Sequence, residues 1–280
     1  MALPASFVFS QASLQDYADC PRRFQLRYVL QVRWPASHEG RLAEWERRAR
    51  QGTAFHRLVH QHTVGVPAEA LEMTVGKGEL RTWWQAYLTT PPRDLPGTIR
   101  QSEVHLVTPL AGHRLTARYD LVAVDPGRRA VIVDWKTSQS RPRRAWLEKR
   151  VQTQVYRYVL VEAGAQFNGK DAAGHTRPFL AEQVELIYWF ANFPRQTECF
   201  SYSAEQHRTI EQAISAMIAE IAAFDLEEWP LTTDQQRCRS CLYKTLCDRE
   251  DIEGSEEQPE DELEQDLFDM DLEQIAEIEF

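Results

Sequence analysis

Asp134 and Lys136 sit in the stretch "VIVDWKTSQS" (residues 131–140), an acid and an amine two residues apart with only Trp135 between them. Side chains alternate along an extended chain, so both would project from one face of a strand. Asp120 closes an earlier stretch, "RLTARYD", and a turn at Asp125–Arg128 would fold the two segments into a hairpin with the carboxylates close together. Two neighbouring carboxylates repel unless a cation lies between them. Hard oxygen donors of this kind suit Mg2+ or Mn2+. Lys136 on the same face could orient an attacking water or offset charge growing on a phosphate. A surface salt bridge is the plain alternative for the Asp-x-Lys pair taken alone.

Further residues extend the pattern. His56 follows Gly52 by four positions in "QGTAFHRLVH", Glu103 falls in the first of three predicted strands, and Gln152 and Tyr156 stand one helical turn apart in "RVQTQVYRYVL". The series Gly-x-x-x-His, Glu, Asp, Asp-x-Lys, Gln-x-x-x-Tyr, in that order, resembles the RecB-type branch of the PD-(D/E)XK nuclease superfamily. That branch includes the nuclease domains of RecB and AddB and the CRISPR-associated four-cysteine exonucleases. The resemblance runs from about Ser10 to Cys247. It implies a metal held by His56, Asp120, Asp134 and the backbone carbonyl of Trp135, with Lys136 as the catalytic lysine. Gln152 and Tyr156 would position the substrate or the lysine, and Glu103 would be an accessory acid. The usual proline before the first acid is absent, since Tyr119 precedes Asp120.

Five cysteines are present, three of them as Cys238-x-x-Cys241-x5-Cys247 in "RCRSCLYKTLC". A Cys-x-x-Cys turn can aim two sulfurs at one metal. Cys20, in "YADCPRRF", is the best fourth ligand and Cys199 the spare. Spacing leaves zinc and an iron–sulfur cluster both open. The resemblance implies a [4Fe-4S] cluster on Cys20, Cys238, Cys241 and Cys247, stapling two segments far apart in sequence.

The elements that must position these groups are legible as changes of period. Residues 10–30, 41–64 and 69–88 read as helices, the first divided by Cys20-Pro21 and the third interrupted near Gly76 and Gly78. Residues 98–108, 113–125 and 130–136 read as strands, 143–163 as a helix, 183–192 and 197–202 as strands and 204–224 as an amphipathic helix. The fold class is α/β: a restriction-endonuclease-like core, a small mixed sheet flanked by helices, over about 98–203. A helical N-terminal region (10–90) and a cysteine-bearing C-terminal segment (204–247) complete a single domain over 1–247.

The formal net charge of −10 conceals two regions. Residues 248–280 hold 16 acids and one base, leaving 31 bases and 26 acids in residues 1–247, a charge of +5. A mildly basic body is compatible with nucleic acid. Arg118, Arg141, Arg143, Arg144, Lys149 and Arg150 lie near the predicted site in sequence and would track a DNA backbone. The acidic tail reads as disordered. The expected partner is DNA, with a separate helicase or another repair or CRISPR protein as further company. No apolar run is long enough to span a bilayer and no signal peptide is evident, so a cytoplasmic protein is expected. "GAQFNGKD" (164–171) matches part of a phosphate loop, but Asp171 stands where a hydroxyl is needed, so no ATP binding by this chain is expected.

Overall fold

The structure is a computed structural model of the 280-residue chain. It describes residues 3–4, 6–32, 39–224, 227, 229–239, 241–249 and 252, with the backbone alone at 39–46. Most of the acidic tail therefore lies outside the described residues.

The chain opens with a short strand β1 (Val8–Ser10), helix α1 (Gln11–Asp19) and helix α2 (Pro21–Phe24), which runs into a π-helical turn at Gln25–Val29. Helices α3 (Glu39–Thr63), α4 (Ala68–Glu72) and α5 (Glu79–Thr89) follow. The central strands are β2 (Ile99–Leu110), β3 (His113–Asp125) and β4 (Arg129–Lys136). Beyond them come α6 (Arg144–Lys149), α7 (Val151–Ala163), β5 (Val184–Phe190), β6 (Glu198–Phe200), α8 (Ala204–Ala223) and a last turn α9 (Gln236–Arg239).

Local chemistry accounts for several boundaries. Ser10 caps α1 by a reciprocal pair of bonds with Ser13, and Ser203 caps α8 in the same way with Gln206. Pro21 occupies the first turn of α2, where its missing N–H costs nothing. The β2–β3 hairpin turns through Ala111 and Gly112, both at positive φ (49° and 79°), the handedness a two-residue hairpin needs.

Six strands form one mixed sheet, a restriction-endonuclease-like core with helices on both faces. β3 organises it. One edge of β3 pairs along its whole length with antiparallel β2. The other edge is shared: β1 pairs parallel to Arg114–Thr116, and β4 pairs antiparallel to Leu121–Asp125. β4 continues into parallel β5, and β5 into antiparallel β6. Burial on both faces makes β4 nearly continuous in apolar residues. Ala130 and Ile132 join the core that includes Val155 and Val159 of α7, whereas Val131, Val133 and Trp135 pack with Phe55 and Val59 of α3.

Three expectations need correction. β1 was not expected; three residues carry too little pattern to announce a strand. The 143–163 helix breaks at Arg150, whose backbone is extended, and the freed N–H of Val151 donates to Gln15 Oε1 of α1 at 3.1 Å. The first strand continues to Leu110, past its predicted end at 108. Among the described residues no helix is long and apolar enough to cross a membrane.

Candidate active site

The β3–β4 ladder ends at Leu121↔Val133, so the next rung would join Asp120 to Asp134. β4 keeps its partner on the other side, with Asp134↔Tyr188, Trp135↔Trp189 and Lys136↔Phe190. The backbone N–H of Trp135 donates to Asp120 Oδ2 at 2.8 Å. The two acids thus stand beside each other where the strands part.

A slip in alternation sets the direction of Asp120. Leu115, Ala117 and Tyr119 of β3 face the α7 side, but so do Val122 and Val124, while Leu121 faces the α3 side. β2 slips at the same level. Val104 faces the α7 side, yet Ser102 reaches His60 Nδ1 of α3 at 2.7 Å. Glu103 between them has φ of 55°, and neither Glu103 nor Asp120 takes part in the ladder. A non-glycine residue in the left-handed region inside a strand is uncommon and costly, a form of strain that gathers at working sites.

Asp120 therefore meets α3. Its Oδ1 lies 2.9 Å from His56 Nδ1. On the α7 side, Lys136 Nζ is 2.9 Å from Asp134 Oδ2 and donates to Gln152 Oε1 at 3.0 Å. Gln152 Nε2 donates to Asp134 Oδ1 and to the Tyr156 hydroxyl, each at 3.0 Å. The Lys136 ammonium also lies 5.5 Å from the centre of the Tyr188 ring. One glutamine thus fixes acid, amine and phenol together. The geometry brings His56, Asp120, Asp134, Lys136, Gln152 and Tyr156 to one place.

The two acids differ electrically. Burial opposes charge on Asp120, but His56, the Trp135 N–H and Lys136 outweigh it and hold its carboxyl below the usual range. Burial dominates at Asp134 and, with Asp120 adding to it against the pull of Lys136, pushes its carboxyl up to about 6. Burial would lower His56, yet Asp120 beside it raises the imidazole overall. Asp134 Oδ2 is buried against the Lys136 ammonium at 2.9 Å. Two buried carboxylates side by side are what a divalent cation would fit. Among the described residues no three His, Cys, Asp or Glu side chains stand in ligating geometry, at this site or among the cysteines.

The remaining predicted residues divide. Glu103 lies across from Asp120, but its carboxylate pairs with Arg118 (2.9 Å). Arg141 and Arg144 both grip Glu198 of β6, Arg144 at 2.9 Å. Arg143 and Lys149 are exposed. Arg150 must be withdrawn from the backbone-tracking set: it is buried, with its guanidinium 4.5 Å from the Trp146 ring centre. Glu198, Tyr188 and Gln15 were not foreseen; each matters through a partner more than 30 residues away, which no local spacing announces.

Cys20, Cys238, Cys241 and Cys247 line one pocket with Arg23, Arg237 and Arg249, while Cys199 lies apart beside Glu185. Arg249 donates to Cys238 Sγ at 2.9 Å. Burial pushes the Cys241 thiol up to about 12, against the pull of Arg23.

A mixed sheet with two acids and a lysine at a parting of its central strands defines the class as the nuclease fold of restriction endonucleases. The chain belongs to the PD-(D/E)XK nuclease superfamily, whose family model matches residues 8–248. Two solved structures are similar in outline. The crystal structure of SSO0001 is 13% identical, covers 86% of this chain and 85% of its own, and has a TM-score of 0.38. A candidate exonuclease from Eubacterium rectale is 11% identical, covers 79% of this chain and 83% of its own, and has a TM-score of 0.46. No curated protein matched in sequence.

Proposed function

We propose that this nuclease hydrolyses phosphodiester bonds of DNA with Mg2+ or Mn2+, acting from strand ends. The observation that supports it is the side-by-side placement of Asp120 and Asp134 with Lys136 fixed by Gln152. His56, Asp120 and Asp134 would hold the cation, with the Trp135 carbonyl as a further donor. When bound, the cation supplies Lewis acidity and a more acidic water. Lys136 directs its ammonium at the phosphate and the incoming water, and Gln152 holds that ammonium by its carbonyl. Tyr156, through Gln152, limits rotation of the amide. Action from ends, and a setting in DNA repair or CRISPR-type processing beside a separate helicase, rest on the resemblance to RecB-type nucleases.

The four pocket cysteines suit a four-thiolate centre, a [4Fe-4S] cluster or zinc, and the arginines around them would offset its negative charge. Such a centre would be structural. Purification without oxygen, with iron and zinc analysis, tests it; protein carrying neither metal would defeat the idea.

The test of the nuclease reading is digestion of DNA labelled at either end, with Mg2+, Mn2+ or chelator, beside Lys136→Ala. Loss of label as short products, dependent on metal and on Lys136, is expected. Equal cleavage by the variant would overturn the assignment.

A further inference from the structure

We infer that Arg141 and Arg144, seated on Glu198, form a phosphate-binding subsite for the nucleic-acid chain beyond the scissile linkage. The inference rests on the nuclease reading above.

Register places the cluster. Asp120 and Asp134 face each other at the end of the β3–β4 ladder, Asp134 pairs with Tyr188, and Tyr188 pairs with Glu198. These four residues form a row straight across the sheet. Adjacent strands lie about 4.8 Å apart, so Glu198 stands about 10 Å from Asp134. That is too far to touch the phosphate under attack and near enough to meet another along the same chain. Arg141 and Arg144 arrive from the segment that leaves Lys136 and crosses from β4 to β6.

The charges are layered. The Glu198 side chain is only 9% exposed, whereas those of Arg141 and Arg144 are 34% and 52% exposed. A buried carboxylate needs a partner, but one arginine would neutralise it. The second leaves a net positive charge facing outward. Two guanidiniums carry more N–H donors than one carboxylate can accept. Arg144 also lies 4.3 Å over the Phe200 ring, which fixes its plane. Oriented guanidiniums with donors to spare suit the forked recognition of a phosphate.

A staple that merely pins the linker to β6 predicts different behaviour, so the experiment separates the two. In chelator, binding of a single-stranded oligonucleotide is measured against salt for wild type and for Arg141→Gln/Arg144→Gln. The slope of log affinity on log salt should fall by about one to two in the double variant, with thermal melting reporting whether it is folded. With metal, the variant should lose about tenfold or more in kcat/KM on the oligonucleotide and little on bis(p-nitrophenyl) phosphate, which carries one phosphate. Neutral methylphosphonate linkages scanned along the oligonucleotide need no variant. One position beside the cut should weaken wild type about tenfold, and a substrate with or without a 5′-phosphate separates an internal diester from a terminal monoester as the bound group. Equal losses on both substrates, or an unchanged salt slope with a flat methylphosphonate scan, would overturn the subsite. Wild-type protein that binds with the expected slope but cuts neither substrate would overturn the nuclease reading alone.

Discussion

Asp120 and Asp134 stand across from each other one rung past the end of the β3–β4 ladder, yet burial and partners push their carboxyls in opposite directions. In chelator, Asp120→Asn should destabilise the protein by about 1–2 kcal/mol, because it weakens the charge-assisted contacts to His56 and the Trp135 N–H. Asp134→Asn should cost less than Asp120→Asn, because the loss of its ion pair with Lys136 is offset in part by relief of a buried negative charge. Thermal melting compares the two losses. Cleavage should be lost in both variants.

Removal of Lys136, Gln152 and Tyr156 should fall in a set order. Lys136→Ala should lower kcat by about a hundredfold or more, on the scale of other lost transition-state donors. Gln152→Ala takes one partner from the ammonium, which keeps Asp134, and takes the amide donor from Asp134, and about tenfold is expected. Tyr156→Phe removes an acceptor for Gln152, whose amide keeps Asp134 and Lys136, and less than tenfold is expected. Single-turnover rates check the ranking, and Tyr156→Phe falling below Lys136→Ala would contradict it.

Glu103 makes a test of backbone strain. Glu103→Ala and Glu103→Gly both delete the ion pair with Arg118, but only glycine relieves the positive φ. Glycine should therefore be the more stable by about 1 kcal/mol. Urea unfolding of the two variants measures the difference.

The cysteines should separate by place. Cys20→Ala or Cys247→Ala, each on the shared pocket, should lower thermal stability and metal content together, while Cys199→Ala, beside Glu185, should change neither. Calorimetry and metal analysis on all three variants check this.

The strands that carry the acids were legible because continuous β-formers end in Asp134 and a turn at residues 125–128 forces a hairpin. Helical periodicity put Gln152 and Tyr156 on one side of their helix, but their place in the site, like that of His56, was legible only through the order of the series along the chain, which resembles that of RecB-type nucleases. Local pattern stops being informative where contacts are distant. The double slip at Glu103 and Asp120 depends on two strands adjusting to each other. The break at Arg150 depends on a side chain of α1, and the capture of Arg141 and Arg144 depends on a strand more than 50 residues later. Arg150 misled because a basic residue near a site in sequence can be a buried packing element in space.

The aromatic ring of Phe24 stacks on Trp229 at 5.5 Å, and Gln25 exchanges hydrogen bonds with the backbone at Glu227 and Trp229. During synthesis the earliest-made helices must therefore wait for a segment emitted some two hundred residues later before their inner side is covered. Nascent chains halted short of Trp229 should remain open to protease and to holding chaperones, and resistance should arise late and abruptly rather than growing with length.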